Sequence, residues 1–250
     1  GGLGDVGKRL EYFLATGNLV SESGLDLQQT SGFTIVAERL NYWRYVSHFR
    51  SIHRGAFFAQ LRTTTVRKLL PDSWGFLCPV HTPDGSPCGL LNHLTRGCTI
   101  VQTSVEPSEL LSQLAPVLQA AGAVLLPLAA GLPSSSYLPI LLDARLLGRV
   151  HVDVAAAVAA SLRAHKLKAA AAQLQQQQQG GGARRAASPL EIALATLEIA
   201  LLLPSHGGAF AGLYLAAGSA RFCRTVRNVV LDGVETIGPL EQTTLRVAYA

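Results

Sequence analysis

Apolar residues in the first third of the chain recur mainly at the spacing typical of helices. This spacing predicts a short helix over Lys8–Thr16 and a longer helix over Thr34–Ser51. The β-branched run Thr63–Val66 instead favours an extended segment. The apolar residues assigned to the buried faces are Leu10, Phe13 and Leu14 in the first helix and Val36, Leu40, Trp43 and Val46 in the second.

Strand patterns dominate the rest of the chain, interrupted by two predicted helices. One helix is expected to begin after Ser108 as its N-cap and to end at Gly122, and an alanine-rich helix covers Val154–Lys168. The residues 143–145 predict a hairpin-like reversal. The predicted strands are Thr99–Thr103, Ala123–Leu128, Tyr137–Leu142, Leu146–Val152, Leu197–Leu203, Gly212–Ala216, Phe222–Leu231 and Val234–Ile237.

These elements predict an α+β fold of mixed helices and short strands. We expect a first module over residues 1–99 and a smaller, β-rich domain whose first part covers residues 100–172. A polar, low-complexity tract over 173–189 contains glutamine and glycine runs and is predicted to be a disordered insertion, because it cannot bury a core. The second part of the β-rich domain then covers residues 190–250.

Composition limits the kinds of protein that this chain represents. With 250 residues, 48% of them hydrophobic, it is long enough for one large or two modest domains. It contains no apolar run long enough to span a bilayer, so we expect no membrane partner. A net charge of +5 favours polyanionic partners. Much of the excess lies in one span, at Arg39, Arg44, Arg50, Arg54, Arg62, Arg67 and Lys68.

Cysteine and methionine content give two further expectations. Four cysteines are too few for a disulfide framework in a chain of 250 residues, which favours reduced, intracellular thiols. The chain has no Met and begins Gly1-Gly2, so we interpret it as a segment of a longer protein.

Residues 73–91 form the stretch around which the rest of the chain is organised. Three prolines and three glycines lie between its apolar ends. Proline fixes φ and glycine permits positive φ, so the stretch is expected to be a rigid loop of specific shape. Within it, Thr82-Pro83-Asp84-Gly85 predicts a tight turn.

The same loop contains four residues of the types that bind zinc, namely Cys78, His81, Cys88 and His93. Their spacing matches neither zinc fingers nor zinc ribbons, so we favour structural thiols and predict no metal site. The chain also lacks a nucleophile elbow, a phosphate-binding glycine loop and clustered aspartates. We therefore predict no catalytic residue, and metal ligands for phosphodiester chemistry would have to lie outside this chain.

The basic residues allow two interpretations. Arg39 and Arg50 flank Trp43 on one helical stripe, where they either meet a polyanion or pack their stems and leave their charges in water. The threonines between Arg62 and Arg67 either contact phosphate oxygens or belong to an ordinary exposed segment. Composition alone favours the ordinary segment.

Several short segments of the sequence resemble the second-largest (β-type) subunit of multi-subunit DNA-directed RNA polymerases, and most closely the RNA polymerase I version. Cys78–Gly85 and then Cys88–Asn92 resemble the family's Cys-Pro-x-x-Thr-Pro-Glu-Gly element, with His-Thr-Pro-Asp in place of Glu-Thr-Pro-Glu. Further segments similar to the family lie at 40–50, 53–55, 63–71 and 73–75. The similarity is weaker near 141–148 and 237–242.

The resemblance implies that residues 1–99 form the fork module and that the rest forms external domains. It implies a part of a DNA-directed RNA polymerase that transcribes ribosomal RNA in the nucleus, and specifically in the nucleolus. The segment would position template and nucleotide during nucleotidyl transfer, and would be inactive alone. Its implied partners are the DNA template, the RNA product, the largest subunit, which would bind the catalytic Mg²⁺, and other polymerase subunits.

The resemblance also implies two groups of site residues. The residues expected to contact nucleic acid are Arg50, Arg54, Arg62, Arg67 and Lys68, and those expected near the active centre are Asp84 and Ser86. Asp84 is one methylene shorter than the usual glutamate, and the Gln/Gly tract has no counterpart in the family. Two alternatives remain at this point: a non-catalytic basic module that binds an acidic protein or nucleic acid, and a small zinc protein.

Overall fold

The chain contains two compact units, Gly1–Arg96 and Gly97–Ala250. The β-rich second unit is the longer of the two, not the smaller as predicted. Their architecture comes from a computed structural model that describes residues 3–20, 27, 29–178, 187–206 and 210–248. Helices accompany several small sheets, so the predicted α+β class is confirmed. The predicted boundaries at residues 99, 172 and 189 stay predictions. None of the helices in the described part of the chain is long and apolar enough to cross a membrane.

The first unit has little regular structure and a small core. Its strands β1 and β2 pair antiparallel, with Ile52 opposite Asn92. Among its described residues, the fully buried apolar side chains are Phe76 and Leu90. The helices are α1 (Leu3–Thr16), α2 (Tyr42–His48) and α3 (Ala56–Ala59), the strands are β1 (Ser51–His53) and β2 (Leu91–His93), and 3-10 turns cover Thr65–Arg67 and Pro71–Ser73.

The predicted helix over Thr34–Ser51 is wrong in extent, because only Tyr42–His48 is helical. Asn41 begins the helix: its backbone is extended and its side chain accepts a hydrogen bond from the Arg44 N–H at 2.7 Å. The predicted buried faces are wrong as well. In α1 the exposed side chains include Leu10 and Leu14, and in the second segment they include Val36, Leu40 and Trp43.

The predicted extended segment Thr63–Val66 is also wrong. The hydroxyl of Thr63 accepts a hydrogen bond from the Thr65 N–H, and the Arg67 N–H donates to the Thr64 carbonyl. Local bonds of this kind compete with extended structure. The segment therefore turns into the 3-10 helix Thr65–Arg67.

The second unit is built on a five-stranded sheet with the order β4-β6-β5-β8-β7. All neighbouring pairs are antiparallel except β5 and β8. Alternate residues of β5 are buried, and they pack with apolar residues of the surrounding helices in one core. The strands are β4 (Val124–Leu125), β5 (Tyr137–Leu142), β6 (Arg145–His151), β7 (Glu198–Leu202) and β8 (Gly212–Ala216), and the helices are α4 (Pro107–Ala120), α5 (Val152–Gln178), α6 (Pro189–Ala195) and α7 (Pro239–Thr243).

A second sheet of this unit has three antiparallel strands in the order β10-β9-β3. Strand β9 lies between the others and pairs Cys223 with Thr99 on one side. On its other side Val226 pairs with Glu235. The strands are β3 (Cys98–Ile100), β9 (Phe222–Asn228) and β10 (Gly233–Ile237).

The strands of this unit follow the sequence pattern closely. Tyr137–Leu142 and Gly212–Ala216 have the predicted bounds, and the other predicted strands are present but mostly shorter. The predicted reversal after Leu142 is confirmed, since Asp143 and Ala144 both have positive φ, as a tight two-residue hairpin turn requires. The Asp143 carboxylate also accepts hydrogen bonds from Ala217 and Gly218.

Three predictions about the second unit are wrong: the N-cap of α4, the end of α5, and the disorder of the residue at which α6 begins. Glu106, not Ser108, is the N-cap of α4, because Pro107 occupies the first helical turn. Both ends of the tract predicted to be disordered have regular structure: α5 continues to Gln178, and Ser188 caps α6 in a capping box with Glu191. The middle of that tract, 179–186, lies outside the described residues.

A buried ionic cluster centred on Lys166 joins α5 to the rest of the second unit. The Lys166 ammonium lies 3.1 Å from both Glu241 carboxylate oxygens and donates to the carbonyls of Leu197 and Thr236. A Glu235 oxygen lies 3.5 Å from the same nitrogen. Burial raises the pKa of Glu241, and the nearby Lys166 opposes that shift. Helix α5, helix α7 and strand β10 thus share one buried cation.

Lys166→Met is expected to lower the free energy of unfolding of the second unit by about 3–5 kcal/mol, because it removes the buried cation from Glu235 and Glu241 and leaves Glu241 with Arg163, at 3.3 Å, as its cation. Denaturant unfolding followed by far-ultraviolet circular dichroism measures this change. The control is Lys168→Met, which removes an exposed charge and should cost about 0.5 kcal/mol or less. Equal effects of the two substitutions would contradict the role given to Lys166.

Candidate nucleic-acid interface

The loop between residues 78 and 93 is closed by backbone hydrogen bonds at its base. The Cys78 N–H donates to the His93 carbonyl at 2.8 Å, and the Leu94 N–H donates to the Arg50 carbonyl at 2.9 Å. Phe76, just before the loop, and Leu90, within it, are fully buried. The segment is thus a defined loop on a small apolar base, as its proline and glycine content predicts.

The Thr82 side chain connects the two sides of this loop. Its hydroxyl donates to the Leu91 carbonyl at 2.8 Å and accepts from the Gly89 N–H at 2.9 Å. The predicted tight turn at Thr82 is displaced, because the hydrogen-bonded turn begins at Gly85, whose carbonyl accepts from Cys88 N–H. Thr82 is a positioning residue that the sequence analysis missed. The feature of the sequence that could have indicated this role is a hydroxyl side chain next to proline in a rigid loop.

Arg67 holds the tip of the loop from the preceding segment. Its Nη1 donates to the carbonyl oxygens of Ser86 and Cys88, at 2.6 and 2.7 Å. Gly89 has a φ of +75° and lies so close that a Cβ there would be 2.5 Å from the Arg67 carbonyl oxygen. The family resemblance implies that Arg67 contacts nucleic acid, whereas its guanidinium is already bound to the loop. A contact with nucleic acid at this residue stays a prediction.

Two other predicted nucleic-acid residues also donate to backbone carbonyls. The Arg50 guanidinium donates to the Thr95 carbonyl at 2.7 Å. The Arg54 guanidinium donates to the Val66 carbonyl and lies 4.5 Å from the centre of the Phe58 ring. Both arginines therefore have structural contacts within the first unit.

Arg62 and Lys68 differ from the other three basic residues. Both are exposed, and within the described part of the chain no hydrogen bond or ion pair involves either side chain. They flank the 3-10 turn Thr65–Arg67 from which Arg67 reaches the loop. Their charges are thus available to an anion outside the unit.

Asp84 and Ser86 lie exposed at the tip of the loop. The Ser86 carbonyl binds Arg67, so the structure brings one residue of the active-centre group together with one of the nucleic-acid group. Among the described residues no salt bridge involves Asp84. Its carboxylate is thus available to a partner.

His81 and His93 stack instead of converging on a metal. Their ring centres are 3.5 Å apart with the planes nearly parallel, and His93 is buried with Nδ1 3.2 Å from the His81 carbonyl oxygen. Burial lowers the pKa of His93. In the described ranges no group of three or more His, Cys, Asp or Glu side chains is arranged to hold a metal ion, and the four cysteines form no disulfide.

Comparison with known proteins confirms the resemblance to the second subunit of RNA polymerases. Residues 35–100 match the family described as RNA polymerase Rpb2, domain 3, and residues 147–224 match the family described as RNA polymerase I, Rpa2 specific domain. The first match contains the whole loop and all five basic residues assigned to nucleic acid.

Individual relatives are similar over nearly the whole chain. The DNA-directed RNA polymerase I subunit RPA2 of Neurospora crassa is 48% identical over 244 residues, which cover 98% of this chain and 18% of that protein. The subunit RPA135 of Saccharomyces cerevisiae is 45% identical, with coverages of 98% and 18%. Subunit 2 of Arabidopsis thaliana is 40% identical, with coverages of 97% and 20%. The chain thus spans about a fifth of the length of these relatives.

Arg67→Ala is expected to lower the free energy of unfolding of the first unit by about 1.5–3 kcal/mol, because it removes two charge-assisted hydrogen bonds to the loop. Tryptophan fluorescence during denaturant unfolding reports this unit, since the two tryptophans, Trp43 and Trp74, both lie in it. Arg62→Ala is the matched control and should cost about 0.5 kcal/mol or less. A destabilisation no larger than that of the control would contradict the structural role of Arg67.

The stability of the first unit is expected to fall as the pH falls below about 6.5, the ordinary pKa of histidine. The folded-state pKa of His93 is lowered by burial, so the unfolded state binds the proton more readily and gains population as the pH falls. Unfolding midpoints measured between pH 8 and pH 5 test this expectation. His93→Gln should weaken the dependence and His53→Gln, at an exposed position, should keep it; the reverse pattern would contradict the assignment.

Proposed function

We propose that this chain, which is similar over nearly its whole length to a segment of RNA polymerase I second subunits, is part of a DNA-directed RNA polymerase that transcribes ribosomal RNA genes. The identity of 40–48% across 97–98% of the chain is the observation that carries this proposal. The non-catalytic basic module considered from the sequence is not favoured, because the relatives named above are polymerase subunits.

Within such an enzyme, the first unit would position nucleic acid beside the active centre. Arg62 and Lys68 supply charges that have no partner among the described residues, as a contact with phosphate requires. Arg67 and Thr82 would act indirectly, because their hydrogen bonds fix the loop that carries Asp84 and Ser86. Phosphate contacts fix position without reading sequence, which suits an enzyme that must hold every successive sequence of the gene that it transcribes.

The chemistry of nucleotidyl transfer would be supplied elsewhere in the enzyme. Nucleotidyl transfer by a two-metal mechanism needs carboxylates that converge on the metal ions. The described residues offer no such group, so none of them fits Mg²⁺. We propose that the largest subunit binds the Mg²⁺ and that this segment alone is inactive.

The partners and location follow from the same proposal. The partners are the DNA template, the RNA product, the largest subunit and other polymerase subunits. The location is the nucleus, and within it the nucleolus, where ribosomal RNA is transcribed.

A hybrid enzyme tests the nucleic-acid role. In it, residues 1–250 replace the matching segment of the S. cerevisiae subunit RPA135, and the polymerase is purified with a DNA–RNA scaffold. Joint replacement Arg62→Ala and Lys68→Ala is expected to weaken scaffold binding equally for different template sequences. The slope of log affinity against log salt should become shallower by about 0.7–0.9 for each phosphate that the double variant no longer binds.

The matched control is Arg227→Ala, which removes an exposed arginine of the second unit paired with Asp232 at 2.8 Å. It should leave the salt slope unchanged. An unchanged slope in the Arg62 and Lys68 double variant, with normal enzyme assembly, would contradict the proposed phosphate contacts.

A further inference from the structure

Two histidine rings stack at the base of the loop between residues 78 and 93. The ring centres of His81 and His93 are 3.5 Å apart, and their planes differ by 4°. His93 lies in strand β2 and is buried, whereas His81 lies on the opposite arm of the loop and is exposed. The stack joins the two arms through side chains, in addition to the backbone bond from Cys78 to His93. We call these two residues the histidine pair.

A hydrogen bond within the pair determines which nitrogen of His93 carries the proton. His93 Nδ1 lies 3.2 Å from the His81 carbonyl oxygen. A carbonyl oxygen only accepts, so this bond requires the proton on Nδ1 and leaves Nε2 as the nitrogen that would take up a second proton. Neutral His93 therefore makes both the ring stack and the hydrogen bond with His81.

The surroundings of His93 disfavour a second proton on its ring. Burial has the largest effect and lowers the pKa of His93, because a buried cation loses its hydration. Positive charge on His81, Arg44 and His48 lowers this pKa further, while the hydrogen bond to the His81 carbonyl opposes the shift. Among the described residues, no salt bridge involves His93.

The segments that pair with His93 or act on its charge contain no carboxylate. Strand β1, helix α2 and residues 78–82 have neither Asp nor Glu. Beside them, the Arg50 guanidinium donates to the Thr95 carbonyl, and the His53 ring accepts from the Gly55 N–H at 3.0 Å. The remaining titratable groups on these segments are the Cys78 thiol and the phenols of Tyr42 and Tyr45. A positive charge on His93 would thus lie among basic and neutral groups.

We propose that His93 is a positioning residue that keeps the loop closed only while its ring is neutral, so that proton uptake by the histidine pair releases the arm that carries Thr82 and Asp84. Opening the arm brings His93 into water, where its pKa is the ordinary value of about 6.5. Below that pH the open loop binds more protons than the closed loop. Each proton taken up then favours the open loop by up to about tenfold per pH unit.

The consequence for the enzyme rests on the proposed function, but the opening itself does not. With the loop beside the active centre, an open arm would no longer hold Asp84 and Ser86 in place, and nucleotide addition would slow as the pH falls. The opening is a local property of the first unit and needs no nucleic acid.

Amide hydrogen exchange of residues 1–250 measures the opening. The Gly89 N–H donates to the Thr82 hydroxyl and so reports whether the arm is closed. After correction for the intrinsic effect of pH on exchange, its protection should fall about fourfold to eightfold between pH 7 and pH 5.5. The amides of strand β5 should keep their protection. Equal protection of Gly89 at the two pH values would overturn the inference.

Two substitutions separate the proton from the packing. His93→Phe keeps a buried aromatic ring against His81 but cannot take up a proton, so Gly89 protection should be equal at pH 7 and pH 5.5. His81→Ala removes the stack from its exposed side and should lower Gly89 protection at pH 7. The control His53→Gln changes an exposed ring and should keep the pH dependence of the unaltered chain. A pH dependence that persists in His93→Phe, or normal protection in His81→Ala, would overturn the inference.

The hybrid enzyme separates this inference from the proposed function. Its rate of nucleotide addition on the DNA–RNA scaffold should fall at least twofold less between pH 7 and pH 5.5 when it carries His93→Phe. The exchange results decide whether the histidine pair controls the loop. If they are as expected while the two enzymes have the same pH profile, the histidine pair keeps its role and the placement of the loop beside the active centre is contradicted.

Discussion

The bonds from the Arg67 guanidinium to the Ser86 and Cys88 carbonyls are the interaction on which the site depends. The loop makes backbone hydrogen bonds of its own, from the N–H groups of Cys88, Leu90 and Leu91, but the Ser86 and Cys88 carbonyls accept from a donor outside it. Arg67 supplies that donor from one end of the 3-10 turn, and Gly89 allows the two backbones to approach. Thr82 completes the arrangement with one hydroxyl that both donates and accepts. The exposed positions Asp84 and Ser86 are therefore fixed before any partner arrives.

The sequence predicted the second unit better than the first, and burial explains the difference. Tyr137–Leu142 alternates between buried and half-buried side chains, so its period directly reports the sheet around it. Thr34–Ser51 has an equally clear apolar period, yet Val36, Leu40 and Trp43 on that stripe are exposed, so the period does not report burial in the first unit. Helix α2 begins where Asn41 caps it, and a pattern of apolar residues does not predict where a capping side chain ends a helix. The Lys166 cluster was missed because its partners lie 31 to 75 residues away in the chain.

The sequence predicted which residue types lie at the candidate site, but not which groups their side chains bind. The sequence shows that Arg50, Arg54 and Arg67 are charged, but only the fold shows that each side chain donates to a backbone carbonyl. Arg62 and Lys68 remain as cations without internal partners in the described chain. The five cations therefore fall into two groups: three arginines bind carbonyls within the unit, whereas Arg62 and Lys68 keep their charge in solvent, where a phosphate can reach it.

Amide hydrogen exchange of residues 1–250 tests most directly whether the loop is formed by its own contacts. The Gly89 and Cys78 N–H groups, bound to the Thr82 hydroxyl and the His93 carbonyl, should exchange slowly in the free segment. Arg67→Ala should release the protection of Gly89 while the amides of strand β5 keep theirs. Rapid exchange of Gly89 in the unaltered chain, or protection that does not change when Arg67 is replaced, would contradict the central claim that the loop is organised before any partner binds.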